Sequence, residues 1–347
     1  MVKELVLVRI ILMLMIFVHH INTAYNGGYS AVAAFFVLSG FVLTLGYHSK
    51  VSLHDFSYSR YLKKRLIRLY PVHWVCLLLF LLLFFVLEKN SEMSYRALAM
   101  NCMLLQSWVP SMDVYFSFNS PSWYCSSLLM FVVFFPLFMK FIADIPFRKQ
   151  IVFFSILLGI YIMLWIVFPD AWRHSVLYIN PVMRLFDCLL GVGTALFVLH
   201  LDRNKNIMDI CRNHYKLLQV ASILALIILV LLSLYLPGKW KSFSILYWLP
   251  TIVVLVSLTI LNHVQKLNML SSILTSSPMQ LIGQCSFSFF MIHALVIRFG
   301  RVYVLSVFPY GHNICIQALV LFIISFLLAQ ALYYFIEIKL IKLLIKT

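Results

Sequence analysis

The chain has 347 residues, 63% of them hydrophobic and only 11% charged, where soluble globular chains carry about 25% charged residues. A water-soluble protein of this size cannot hide so much apolar surface, so composition excludes a soluble globular fold. The formal net charge of +16 comes from basic residues clustered between apolar runs, the positive-inside pattern of a membrane protein and not the footprint of a nucleic-acid partner.

Ten apolar segments are expected to cross the bilayer as helices, each near the roughly 20 residues a span requires. They cover residues 6–22, 31–48, 70–88, 123–143, 150–169, 181–200, 216–236, 244–262, 282–303 and 314–337. Period-2 alternation is absent, which argues against an outer-membrane barrel. The first segment lacks a small-residue cleavage site and reads as a retained helix. With the N-terminus cytoplasmic, 19 of the 27 basic residues fall inside, so both termini are expected in the cytoplasm. The expected fold is all-α, a polytopic transmembrane helix bundle with one domain over residues 1–347. The longest hydrophilic segment, Glu88–Ser122, is expected to pack over the helices. The seven cysteines form no CxxC pair or zinc spacing and read as packing residues, and no metal site is expected.

In chain order, the first segment places Arg9, His19 and His20 in an otherwise apolar stretch. Eleven helical steps bring His20 within about 20° of the face of Arg9 and leave His19 about 80° off it. The rise between them is about 16 Å, roughly half the bilayer core. They either line one vertical channel, as ionisable residues inside spans usually do, or Arg9 snorkels to the headgroups and the histidines sit at the outer interface. In the second segment Ser39 and Gly40 lie amid Phe35, Phe36 and Phe41, a pattern of close helix packing. The cluster SRYLKKRLIRLYP follows. Arg65 and Arg68 share a helix face there and form either a phosphate clamp or plain inside-positive and anionic-lipid contacts. Arg184 and Asp187, three apart, are expected to neutralise each other.

Arg9 with ten residues before His20, FFVLSGF at 35–41 and RLIRLYP at 65–71 are followed by NSPSWYCSS at 119–127, PVMRLFDCLLGVGTALF at 181–197, IGQCSFSFFMIHALVI at 282–297 and YYFIE at 333–337. This ordered set resembles the acyltransferase-3 family of polytopic bacterial membrane enzymes over nearly the whole chain. Two positions depart from it. Leu128 stands where the family often has a glutamate, five residues after the tryptophan of the N-x-P-S-W segment, and Ile338 follows the last acidic residue where a proline is common.

The resemblance implies a multi-pass O-acyltransferase of the bacterial cytoplasmic (inner) membrane. The donor would be acyl-CoA, acetyl-CoA above all, bound as substrate with no permanent cofactor. The acceptor would be a hydroxyl of a cell-surface or lipid-linked glycan, such as lipopolysaccharide or its O-antigen; membrane lipids are the remaining partners. His20 is the expected catalytic base or, second, the acyl carrier. Arg9, Arg65 and Arg68 would hold the coenzyme phosphates. Ser39 would align the donor or serve the oxyanion, unless it only packs. Asn119 and Trp123 would meet the sugar, although an interfacial aromatic belt equally explains Trp123, and His293 would be a second site histidine. Glu337, beside Lys339 and Lys342, reads as an interface anchor. A transporter or flippase without covalent chemistry is the alternative, disfavoured because no inverted repeat or pair of broken helices is evident.

Overall fold

The computed structural model describes residues 5–22, 25–51, 56–87, 93–143, 145–237, 240–264, 276–304 and 313–346. Every regular element among them is helical. In hydrocarbon each backbone N–H and C=O must be satisfied within its own segment, which a helix does. The elements are α1 Leu5–Ile21, α2 Gly27–Val51, α3 Tyr58–Leu87, α4 Tyr95–Cys102, α5 Met112–Tyr115, α6 Ser122–Ala143, α7 Phe147–Val167, α8 Asp170–Trp172, α9 Pro181–Asp202, α10 Lys205–Asn213, α11 Tyr215–Tyr235, α12 Ile245–His263, α13 Ser277–Gln284, α14 Ser286–Phe299, α15 Ile314–Leu332 and α16 Ile341–Lys346. Wide π-helical turns occupy Arg173–Ile179, Gly300–Val304 and Tyr333–Leu340.

Each of the ten expected segments falls on a helix, and the chain is a multi-pass membrane protein. Among the described residues eight helices are long and apolar enough to cross a bilayer. The remaining two expected spans differ from a straight membrane helix. α1 is shorter, at 17 residues, and α13 meets α14 at a 59° bend. Helix α3 also begins well before the expected residue 70, because the basic cluster is itself helical and Pro71 is accommodated inside the helix. Helix starts follow local chemistry. Asn180 accepts from Val182 N (2.9 Å) ahead of Pro181, and Asn313 accepts from Cys315 N (2.9 Å) at the start of α15, satisfying N–H groups that no helical carbonyl reaches.

The centre of the bundle is the α2–α9 seam, with α1, α6 and α12 packed against it, whereas α7, α11 and α15 lie outside and present apolar side chains to lipid. Small residues set that seam. A methyl group at Gly191 would lie 2.0 Å from the Val37 carbonyl oxygen, and one at Gly40 would lie 1.9 Å from that of Cys188. The hydrophilic segment packs over the helices as expected from residue 93 on; residues 88–92 lie outside the described residues. His73 Nε2 meets Asn101 O (2.8 Å), Gln106 Nε2 donates to Ser122 Oγ (3.0 Å) and Ser107 Oγ to Trp123 O (2.8 Å). These ties hold Leu104 and Phe118 at left-handed φ of 56°, a conformation that costs roughly 1 kcal/mol or more in a side-chain-bearing residue. Of the seven cysteines, Cys76, Cys125, Cys188 and Cys285 are buried packing residues; Cys102 and Cys315 are exposed and Cys211 is half-buried.

Candidate active site

Two cavities lie one above the other along α1. The one at the C-terminal end of α1, named the outer cavity after the expected orientation, is about 230 Å³ and is walled by His19 and His20 from the end of α1, Tyr29 and Val32 from the start of α2, Phe116, Pro121 and Trp123 from the hydrophilic segment and α6, and His174 and Tyr178 from the π-helical turn. The His20 ring meets that of His293 edge-on at 5.0 Å. The His293 imidazole is fully buried and its Nδ1 lies 2.8 Å from Phe290 O. An Nδ1–H donated to that carbonyl leaves Nε2 as an acceptor, and Nε2 has no hydrogen-bond partner among the described residues. The end of α1 is fixed from outside the helix, since Arg301 Nη2 donates to the Ile21 carbonyl.

The outer cavity is rich in rings. Tyr29 and Tyr178 lie 5.0 Å apart, Trp123 and Tyr178 5.5 Å, and His174 stacks on Tyr178 at 5.5 Å. His174 Nδ1 lies 3.2 Å from the Tyr115 hydroxyl. Burial, and then the charge of Arg184, hold the His174 imidazole down to about 4, so it is neutral near neutral pH. Burial pushes the Tyr115 hydroxyl up, aided by Tyr29 and Asp113, which keeps it protonated.

The inner cavity, about 290 Å³, is walled by Arg9, Arg65, Ser39, Tyr124, Leu128 and Ser286 among others, and Phe290 lines both cavities. The Arg65 guanidinium lies over the Tyr47 ring at 4.7 Å, and its Nε is buried without a hydrogen-bond partner among the described residues. Ser39 Oγ donates back to Phe35 O (2.8 Å) and lies 3.0 Å from the Tyr124 hydroxyl. An arginine-bearing chamber at one level and a histidine-bearing chamber at the other therefore share a single phenylalanine wall.

Comparison with known proteins bears on the same residues. The acyltransferase-3 family model, described as an acyltransferase domain, matches residues 2–334. The chain belongs to the acyltransferase-3 family. A curated relative, Acyltransferase MdmB of Streptomyces mycarofaciens, is 33% identical over 133 residues, which is 38% of this chain and 32% of that protein. The chain thus aligns with about a third of the relative's length. No solved structure matches.

The family's motif residues do not all converge. Arg9, Ser39 and Arg65 share the inner cavity, whereas Arg68 is exposed and outside its wall. Arg68 lies within electrostatic reach of Arg9 and Glu337 instead, so of the expected pair only Arg65 enters this chamber. Leu128 lines the inner cavity, which puts a leucine where the acyltransferase-3 glutamate is common. Trp123 is buried in the outer wall and is not part of an exposed aromatic belt.

Four residues lie otherwise than the sequence reading places them. Asn119 is buried rather than set on an open outer face: its Nδ2 donates to Met291 O (2.8 Å), tying the hydrophilic segment to α14. His293 does not reach either cavity wall and touches the His20 ring instead. His19, expected off the working face, also lines the outer cavity because α2 turns back beside it: the His19 ring packs against Gly28 and Nδ1 lies 2.5 Å from Tyr25 O. Glu337 is likewise not a free interface anchor. It accepts from Ser288 Oγ (2.5 Å) and lies within electrostatic reach of Arg9 and Arg68. Tyr29, His174, Tyr178 and Phe290 carry no signal in the sequence, since ring contacts between distant segments leave no periodic pattern.

Beside the outer cavity the expected Arg184–Asp187 pair is present at 2.9 Å with both side chains fully buried. Arg184 also donates to Leu177 O (3.0 Å) and Ser244 Oγ (2.9 Å), and Trp248 Nε1 donates to Asp187. Its guanidinium lies 4.7 Å over the Tyr178 ring. The pair thereby buttresses the aromatic wall.

Proposed function

We propose that the chain is an O-acyltransferase of a bacterial cytoplasmic membrane, moving an acetyl or other short acyl group from acyl-CoA on the inner side to a hydroxyl of a cell-surface or lipid-linked glycan. The observation that carries this reading is the stacking of the two cavities along α1, Arg9 and Arg65 below and His20 above, with Phe290 common to both. Coenzyme A carries several phosphate charges and cannot enter hydrocarbon, so a cationic chamber reached from the inner surface suits it. The pantetheine arm is long enough to cover much of the rise of about 16 Å from Arg9 to His20. Ser39 lies with the arginines, two helical turns of α2 from the outer cavity, and so serves the donor arm and not the oxyanion.

His20 takes the acceptor hydroxyl proton as its oxygen attacks the thioester carbon. The C–S bond then breaks, and the departing thiolate recovers that proton from the imidazolium. His293 is a positioning residue whose ring packs edge-on against that of His20 at 5.0 Å and holds its orientation. Tyr29, Trp123 and Tyr178 offer ring faces on which a sugar can stack, and neutral His174 with Tyr115 offers hydrogen bonds to its hydroxyls. The test is purified chain in nanodiscs with acetyl-CoA and a panel of glycan acceptors, read as thiol release and as acyl mass on the acceptor. Acceptor-dependent thiol release supports the proposal. Glycan translocation in proteoliposomes with no thiol release contradicts it and favours the transporter.

A further inference from the structure

A second set of cavities lies on the lipid-facing side of the bundle, away from α1. An apolar groove of about 430 Å³ runs between α7, α9 and α12, floored by Phe186, Leu190, Gly193 and Trp248. Its rim is open to the bilayer, with Ile151 52% and Leu249 70% exposed. At the end formed by the start of α7, Phe147 and Gln150 pass from the groove into a polar pocket of about 290 Å³ that also holds His48, His200 and Arg203. His200 and Arg203 continue into an open basin with Lys205 and Asn206. One continuous path therefore runs from an apolar channel to a cationic mouth.

Three details place that mouth at the membrane surface. Phe147 stacks flat on His200 at 4.1 Å and 5°, which forms the boundary between the apolar and polar parts. Helix α10 begins at Lys205 with Ile207, Met208 and Cys211 half-buried on one side and Lys205, Asp209 and Arg212 exposed, the pattern of a helix lying in the interface. The nearby acids are engaged elsewhere: Asp202 meets His263 at 3.1 Å and Asp209 meets Arg212 at 3.1 Å. Among the described residues Arg203 and Lys205 form no ion pair, so the mouth keeps its positive charge.

We infer that this path is a binding site for one anionic glycerophospholipid, with an acyl chain in the α7–α9–α12 groove and the phosphate between Arg203 and Lys205. A zwitterionic lipid would fill the groove but bring its own headgroup cation to a mouth that already holds two, and so bind less tightly. A free phosphate would satisfy the cations and leave the groove empty. The site is separate from the cavities on α1, and its occupation does not depend on the acyl-transfer reading.

The test uses delipidated full-length protein in detergent, titrated with phosphatidylglycerol, phosphatidylcholine or glycerol 3-phosphate, with adducts counted by native mass spectrometry. Wild type should retain one phosphatidylglycerol roughly tenfold or more tighter than phosphatidylcholine. Arg203→Gln with Lys205→Gln should bring the two lipids level, and Ser155→Trp, at the exposed lip of the groove, should weaken both. Arg212→Gln, on the same helix outside both pockets, should leave the preference intact. Equal binding of the two lipids by wild type overturns the inference. So does equal loss in Arg212→Gln, which would mean general surface attraction, and so does displacement of the lipid by glycerol 3-phosphate at matched concentration. Should the double variant fail to fold, the wild-type comparison and Ser155→Trp still decide.

Discussion

Adding one methyl group to the α2–α9 seam should disturb both cavities at once. A Cβ at Gly191 would stand 2.0 Å from the Val37 carbonyl oxygen, and ordinary contact begins at 3.4 Å. The obstacle is backbone, which cannot rotate aside, so the two helices must part by more than about 1 Å in an interior packed like a crystal. Overpacking of this kind costs about 1–3 kcal/mol. Gly46 provides the control, because a methyl group there meets nothing within 4 Å and Ala is favoured over Gly in a helix by up to about 1 kcal/mol. Thermal unfolding of the purified variants, followed by tryptophan fluorescence, should show Gly191→Ala clearly below wild type and Gly46→Ala level with it or above. Acyl transfer should fall in Gly191→Ala as well, since α2 carries Tyr29 and Val32 into the outer cavity and Phe35 and Ser39 into the inner one. Equal stability of the two variants would refute the close-packed seam.

Further predictions concern charge. Arg184→Met strands a fully buried Asp187 carboxylate and should destabilise by about 3–5 kcal/mol, with Arg184→Met/Asp187→Leu recovering most of the loss; a double variant no better than the single would contradict the pairing. The His174 pKa of about 4 lies below the unfolded value of 6.5. The stability gained by burying it neutral is therefore complete above about pH 6.5 and lost as pH falls toward 4. Wild-type Tm should fall across that window more steeply than that of His174→Phe, and parallel curves would refute it. Arg65→Ala should raise KM for acyl-CoA by tenfold or more and leave KM for the acceptor unchanged, whereas equal rises in both would remove the phosphate role.

Much of this architecture is readable along the chain, because the bilayer imposes one rule on every segment and the apolar runs obey it. The Arg9–His20 register is readable for the same reason, as it depends on one helix alone. Lateral neighbours are another matter. His19 sits some 80° from the face of Arg9 on an ideal helix, yet it lines the outer cavity because Gly28 of α2 packs on its ring. His293 and Asn119 carry family motifs, but their neighbours come from other elements, and only the packing shows that one touches His20 and the other ties to Met291 O. Glu337 reads as a surface charge until Ser288, 49 residues away, is found donating to it. His174 stands in a short turn with no periodicity to mark it, and its surroundings come from Tyr29, Tyr115 and Tyr178.

The most direct measurement is acyl transfer by His20→Ala in nanodiscs, beside its affinity for acyl-CoA. Loss of a positioned general base removes about 10²–10⁴ of rate, and the donor phosphates are assigned to residues a cavity away. The account predicts a fall in kcat of at least about a hundredfold with donor affinity unchanged. Transfer within a few-fold of wild type, or lost donor binding in place of lost turnover, would contradict it.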